Sequence, residues 1–209
     1  NRRRNWKALP HPAHALDAVV LTHAHIDHSG YLPRLCRQGF SGPVYCTPPT
    51  KSLLGVLLPD AAHLQEEEAR YANKEGYSKH APALPLFRTA DARQALRLLE
   101  SVPFDTWQEL HPGIRFRFRR QGHILGAAAV ELETKVSGGE RKTIYFSGDV
   151  GRYGVPILRE PEPYPGSDVL FVESTYGDRE HDDTPILDQI RHRLELGEGQ
   201  QQRRNLPEG

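Results

Sequence analysis

Residues 23–28 read His-Ala-His-Ile-Asp-His, three imidazoles and a carboxylate in six positions, directly after the apolar run 16–22. Neutral imidazole and carboxylate are donors that zinc accepts at about 2.0–2.2 Å. On an extended chain residues i and i+2 face the same side. His23 and His25 are therefore expected to point together at, or just past, the carboxyl end of a strand over 16–22. Asp27 and His28 fall where a helix is expected to start and project from a different direction. The segment thus offers two ligand pairs, one of nitrogen alone and one of oxygen plus nitrogen. A helix-capping Asp27 flanked by surface histidines is the plainer alternative, and it does not account for four such residues in six.

Two pairs leave each of two ions short of donors, so further His, Asp or Glu side chains are expected at other strand ends. Two residues stand out. His123 lies in the loop sequence QGHILGAA (121–128), and Asp149 follows an apolar strand in FSGDVGR (146–152). Each has glycines on both sides, which lets the backbone pass close to an ion without a Cβ in the way.

The elements that must position these groups can be read from the patterning. A short buried strand is expected over 16–22, a helix over 29–38 and a second strand over 42–46. The next 27 or so residues read as helix, with Pro59 kinking or dividing it. Residues 74–88 are rich in turn formers, and 89–99 read as an amphipathic helix capped by Thr89, with Ala92, Ala95, Leu96 and Leu99 on one face. From Phe104 the period changes to two, giving strands over 114–119, 128–134, 142–149 and 168–175, then a helix over 183–196 and a polar tail. Alternating strands and helices followed by a run of strands imply helices layered on sheet, with the donor-bearing loops at strand ends. No internal repeat is visible.

Composition narrows the function classes. Lys+Arg and Asp+Glu both number 27, so no global basic field marks a nucleic-acid partner. Arg115, Arg117 and Arg119 alternate along one strand with Arg120 beside them, either as phosphate contacts or, more simply, as a solvated strand face. Hydrophobic content of 37% and a mean hydropathy of −0.62 are low for a self-contained domain of 209 residues. Two cysteines, Cys36 and Cys46, in apolar surroundings fit packing residues in a reducing cytoplasm better than a disulfide. No apolar stretch approaches the roughly 20 residues that span a bilayer, which argues against a membrane partner. The chain contains no methionine and opens on NRRRNW, which suggests a partial chain.

The order HxHxDH, GHILGAA, SGDVGR closely resembles the metallo-β-lactamase superfamily. VESTYGDR (172–179) is similar to the first signature of its β-CASP branch, nucleases of RNA or DNA. HSGYLPRLCRQGFSGPVYCTPPT, LLPDAAHLQEEEARYANKEGYSKHAPALPL and YFSGDVGRYGVPIL resemble bacterial RNases related to the cleavage and polyadenylation endonuclease. The likeness runs from about residue 5 to residue 190. It implies an αββα sandwich of the α/β (α+β) class, incomplete at the N-terminus. Residues 1–175 would form the metallo-β-lactamase-like domain and 176–209 the beginning of a β-CASP-like segment with a polar tail.

By the same resemblance His23, His25 and His123 bind a first zinc, Asp27 and His28 a second, and Asp149 bridges both. Two such ions clamp the phosphate oxygens of an in-line displacement, and the metal brings the pKa of water from about 15.7 towards 7. Asp27 would orient the attacking group, and Glu173 would partner a downstream histidine that protonates the leaving oxygen. Neither His181 nor His192 matches that downstream histidine, and the second zinc site is expected to be incomplete. The implied activity is zinc-dependent hydrolysis of phosphodiester bonds in RNA, or in DNA, by a nuclease or a truncated relative of one. A complementing chain or a homo-oligomer would complete it. The competing readings are a thioester or lactone hydrolase of the same superfamily and an inactive zinc-binding scaffold that pairs with an active homologue.

Overall fold

Short runs of β-branched and apolar residues form a first sheet from β1 (Val19–Val20), β2 (Val44–Cys46) and β3 (Leu99–Ser101), parallel and in that order. Parallel neighbours need crossovers, which the helices supply. Helices α1 (Ile26–Ser29) and α2 (Leu32–Arg37) connect β1 to β2, while α3 (Pro48–Glu75) and α4 (Thr89–Arg97) connect β2 to β3. This computed structural model describes residues 5–7, 9–136, 138–178, 184, 187–188 and 190–194.

The second sheet is a meander of β4 (Gln108–His111), β5 (Ile114–Arg120), β6 (Ala128–Lys135) and β7 (Arg141–Phe146), all antiparallel, with β8 (Val169–Phe171) added parallel to β7. Strand alternation divides the apolar residues between two cores. Val44 and Cys46 of β2 join Leu54, Leu58, Ala92 and Ala95 in a core between the first sheet and its helices. Val20 and Tyr45 turn the other way, onto Phe116, Phe118 and Val130 of the second sheet. The described layers therefore run helix, sheet, sheet. Phe116 and Phe118 are fully buried between the sheets, and truncating either to alanine is expected to cost about 3–5 kcal/mol.

The far face of the second sheet is charged rather than apolar. Register places Arg115 opposite Glu133 and Arg117 opposite Glu131. Each forms a two-pronged ion pair, Arg115 at 3.0 and 3.1 Å and Arg117 at 2.9 Å for both prongs. Trp107 lies 4.3 Å from the Arg115 guanidinium and 4.5 Å from that of Arg117, within cation–π range. Arg119 pairs with Asp105 and Glu162, and Arg120 with Glu162. These arginines are neutralised within the chain, as a solvated strand face requires and a phosphate site does not.

Several elements differ from the sequence-based expectation. The first strand is two residues long rather than seven, because its carboxyl half is drawn into the donor-bearing turn. The helix expected over 29–38 is two short helices separated by Gly30 and Tyr31. Pro59 does not divide α3, which continues for 28 residues. The proline ring presses on the carbonyl four residues earlier, here Gly55, which has no side chain and open space around it. Leu54, Leu58, Ala62, Ala69 and Ala72 anchor the helix on both sides of Pro59. Thr89 is the first residue of α4 rather than its cap: its hydroxyl donates to Glu66 at 2.7 Å, while Asp91 accepts from the Arg88 N–H at 2.8 Å. Leu99, expected to end that helix, instead opens β3, because it pairs with Val44.

The chain divides into two compact units, residues 1–173 and 174–209. Both sheets belong to the first. In the second, residues 187–188 and 190–194 are helical, and the rest of the helix expected over 183–196 and the polar tail lie outside the described residues. Cys36 and Cys46 are buried free thiols, and burial raises each pKa to about 11. No described helix is long and apolar enough to cross a membrane.

Candidate metal centre

Three strand ends converge. The turn after β1 carries His23 and His25, the loop between β5 and β6 carries His123, and the turn after β7 carries Asp149. One donor atom from each of these four residues lies within 4.8 Å of all the others. His25 Nδ1 sits 3.1 Å from both His23 Nε2 and His123 Nε2. Asp149 Oδ2 lies 3.7 Å from His23 Nε2 and 3.4 Å from His123 Nε2.

The sequence folds this way locally for identifiable reasons. Buried Ser29 donates to the carbonyls of Ala24 and His25 at 3.0 and 2.9 Å, which closes the turn from β1 into α1. Thr22 Oγ1 lies 3.1 Å from His23 Nδ1. A ring proton on Nδ1, donated to that oxygen, would leave the Nε2 lone pair facing the other donors. Gly151 rests directly on the Gly122–His123 peptide: a Cβ there would meet the Gly122 oxygen at 2.1 Å and the His123 nitrogen at 2.5 Å. The Gly151 N–H also donates to Gln121 O at 2.8 Å. The two glycine-flanked loops are thus locked backbone to backbone, with no room for a side chain.

Burial, followed by the neighbouring imidazoles of His28, His25 and His123, holds the His23 pKa down to about 3. Burial also lowers that of His123, against the opposing pull of Asp149. His23 is therefore neutral at physiological pH, the form a cation needs. A neutral imidazole has one N–H and one lone pair, so His25 Nδ1 cannot satisfy two facing ring nitrogens by hydrogen bonding. Two nitrogens bound to one tetrahedral ion by bonds of about 2.0–2.1 Å lie about 3.3 Å apart, close to the 3.1 Å separations found here. The donor set fits a small borderline cation.

The other Asp149 oxygen faces a second group. Oδ1 lies 3.3 Å from His28 Nε2, which in turn is 3.7 Å from Asp27 Oδ2. The Asp27 side chain is 80% exposed, against 0% for His23. Glu173 is held beside Asp149, and its charge raises the His123 pKa against the effect of burial. Its Oε1 accepts from the Val150 N–H at 2.8 Å, next to Asp149, and its own N–H donates to Ser147 Oγ at 3.1 Å. Sequence reasoning missed Thr22 and Ser29 as shapers of the site, and nothing local marked either. The glycines beside Asp149 were read as allowing close approach to an ion, whereas Gly151 makes its close approach to the Gly122–His123 peptide. His11, His14, His63, His80 and His111 are exposed, as expected of surface residues.

Residues 1–196 match the family described as the beta-lactamase superfamily domain. The chain belongs to the beta-lactamase superfamily. Among the relatives of this superfamily member is a ribonuclease of Thermus thermophilus, 36% identical over 181 residues, covering 87% of this chain and 36% of the relative. The transcription termination factor FttA of Cenarchaeum symbiosum is 34% identical over 167 residues, covering 79% of this chain and 23% of the factor. The chain therefore spans about a third of the length of the first and a quarter of the second. Among solved structures, the Rm3 metallo-beta-lactamase aligns with a TM-score of 0.40 and 17% identity, covering 68% of this chain and 46% of that one.

Proposed function

We propose that this chain carries the dinuclear zinc centre of a β-CASP-type nuclease that hydrolyses phosphodiester bonds of RNA. One observation carries the reading: the two oxygens of Asp149 face two separate donor groups, Oδ2 towards His23 and His123 and Oδ1 towards His28. That is the arrangement of a bridging carboxylate. The ribonuclease and termination-factor relatives support the substrate class.

In this reading His23, His25 and His123 would hold one ion and Asp27 and His28 the other, with Asp149 placed to serve both. Such ions, when bound, polarise phosphoryl oxygens and bring water's pKa towards neutrality. The protein's own residues supply position. Thr22 Oγ1 stands 3.1 Å from His23 Nδ1, where it would accept the ring proton once Nε2 serves an ion, and the Gly151–Gly122 contact sets Asp149 against His123. Exposed Asp27 stands at the open side, where it orients the attacking water. Glu173 fixes the backbone beside Asp149 through the Val150 N–H, and its expected role beside a proton-donating histidine is part of the same proposal. The compact unit ending at residue 173 supports a metallo-β-lactamase-like part near 1–175, followed by the start of a β-CASP-like segment. Free, buried Cys36 and Cys46 support a cytoplasmic setting.

The test is metal content by native mass spectrometry together with cleavage of an end-labelled RNA. Two zinc ions per chain and RNA cleavage that Asp149→Ala abolishes are expected. A chain that takes up no metal overturns the reading. Turnover of a thioester or lactone with none of RNA replaces it with the small-molecule hydrolase.

A further inference from the structure

The centre draws its donors from both sheets. His23 and His25 follow a strand of the first, whereas His123 and Asp149 follow strands of the second. Something must set the height of the His123 loop against the first sheet. Backbone bonds within the loop, Gln121 N–H to Ala127 O at 3.1 Å and Ala127 N–H to Ile124 O at 3.0 Å, fix its shape only. The Gly151 N–H ties it to another turn of its own sheet.

At the loop's far end the Ala128 N–H donates to Thr22 O at 2.9 Å, and Ile124 packs against the core of the first sheet. A further, side-chain contact also crosses between the sheets. Thr47, directly after β2, and Thr50, in the first turn of α3, both reach the carbonyl oxygen of Gly126, at 2.7 and 3.1 Å. Both threonines are fully buried and more than 70 residues from Gly126 in sequence. Capping α3 uses only the Thr47 oxygen as an acceptor, for the Thr50 N–H at 3.4 Å. It leaves the proton of each hydroxyl to be placed. A carbonyl oxygen has two lone pairs, and both hydroxyls reach it while lying 3.0 Å from each other, so the Gly126 carbonyl and the neighbouring hydroxyl share the two protons. Gly126 has a φ of +82°, and a Cβ there would lie 2.6–2.7 Å from Thr50 N and both hydroxyl oxygens. The loop is pressed onto the helix start without a gap, three residues beyond His123.

We propose that Thr47 and Thr50 are positioning residues for metal binding: by pinning the Gly126 carbonyl they hold His123 in register with the His23–His25 pair. The inference rests on the metal-centre reading above. Neither threonine touches a donor atom, and their effect on the ion passes through the loop.

The experiment uses the whole chain. Affinity for Zn2+ is measured by competition with a chromophoric chelator, and Co2+ is titrated by visible absorption. The metal-free melting temperature of each variant is recorded alongside. Thr47→Val and Thr50→Val are expected to weaken the tighter ion by about 10–100-fold and to alter the Co2+ spectrum at saturation, as losses of groups that orient a ligand do. The Thr→Ser variants, which keep the hydroxyl, are expected to stay within about threefold of the parent. Leu58→Ala, a core truncation eight residues beyond Thr50 along α3, is expected to lower the metal-free melting temperature without changing the affinity or the spectrum of the folded chain. Should a valine variant fail to fold, the same comparison is made with Thr50→Ser against Thr50→Ala, which removes the hydroxyl without adding bulk. Unchanged affinity and spectrum in the variants lacking the hydroxyl overturn the positioning role while leaving the metal centre standing. A parent chain that binds neither Zn2+ nor Co2+ overturns both.

Discussion

The two donor groups that share Asp149 are built on opposite terms. In the first, His23 is wholly buried with Thr22 Oγ1 against its Nδ1, the carbonyl of His25 is held by Ser29, and the His123 loop is locked to Gly151. The second consists of Asp27, 80% exposed, and His28, 30% exposed, 3.7 Å apart. Folding has already ordered the first group, so a cation meets it at little further entropic cost. The second stays open to solvent, as a site must that still has to admit water and substrate. One carboxylate thus joins a finished half to an adaptable half.

Breaking the finished half should produce the largest effect. Gly151→Val forces a side chain into the Gly122–His123 peptide, where even a Cβ would lie 2.1 Å from oxygen. Loss of both ions is expected, with affinity down by more than about 100-fold, read by native mass spectrometry and chelator competition. Retention of both ions would show that the loops need not be locked. Breaking the adaptable half should cost less: His28→Ala is expected to lower the stoichiometry from two ions to one, with the remaining affinity within about threefold of the parent. Loss of both ions would mean that the halves form together or not at all.

The smallest effect belongs to a carboxylate remote from the centre. Asp168 accepts from the Thr143 N–H at 2.8 Å and pairs with Lys142 at 3.1 Å, and these partners, the backbone bond first, lower its pKa. A carboxyl whose folded pKa is lowered stabilises the fold above its unfolded value of about 3.9, and that stability is lost as pH falls through the folded value. Asp168→Asn should therefore lower the melting temperature slightly at neutral pH, converge with the parent once pH has fallen below the folded value, and leave metal stoichiometry unchanged. A gap that persists in acid would show that the Asp168 charge contributes nothing to the fold.

Much of the centre was legible in the sequence because its donors lie in short motifs with strand periodicity and flanking glycines. The spacing of His23 and His25 sufficed to place them together, and the glycines around His123 and Asp149 marked close backbone approaches. What was not legible depends on register between distant segments. Leu99 reads as the end of a helix until Val44 offers it a parallel partner. Arg115 and Arg117 read as available cations until the pairing of β5 with β6 sets Glu133 and Glu131 beside them. Thr47 and Thr50 read as an ordinary helix start, since only the folded chain brings Gly126 to them. Pro59 reads as a break because local rules weigh the lost backbone bond and not the apolar stripe that anchors α3 on both sides.

The buried thiols add a consequence for dynamics. Cys46 ends β2, immediately before the Thr47 that reaches Gly126, and Cys36 lies in α2 within the same core. A thiol with its pKa near 11 and no access to solvent reacts with an alkylating agent only when its surroundings open. The chain thus carries two internal clocks of opening that need no added label, and neither takes part in the nitrogen and oxygen donor set. Saturating Zn2+ should slow alkylation of Cys46 in proportion to the stabilisation it confers, which mass spectrometry of the modified chain can time.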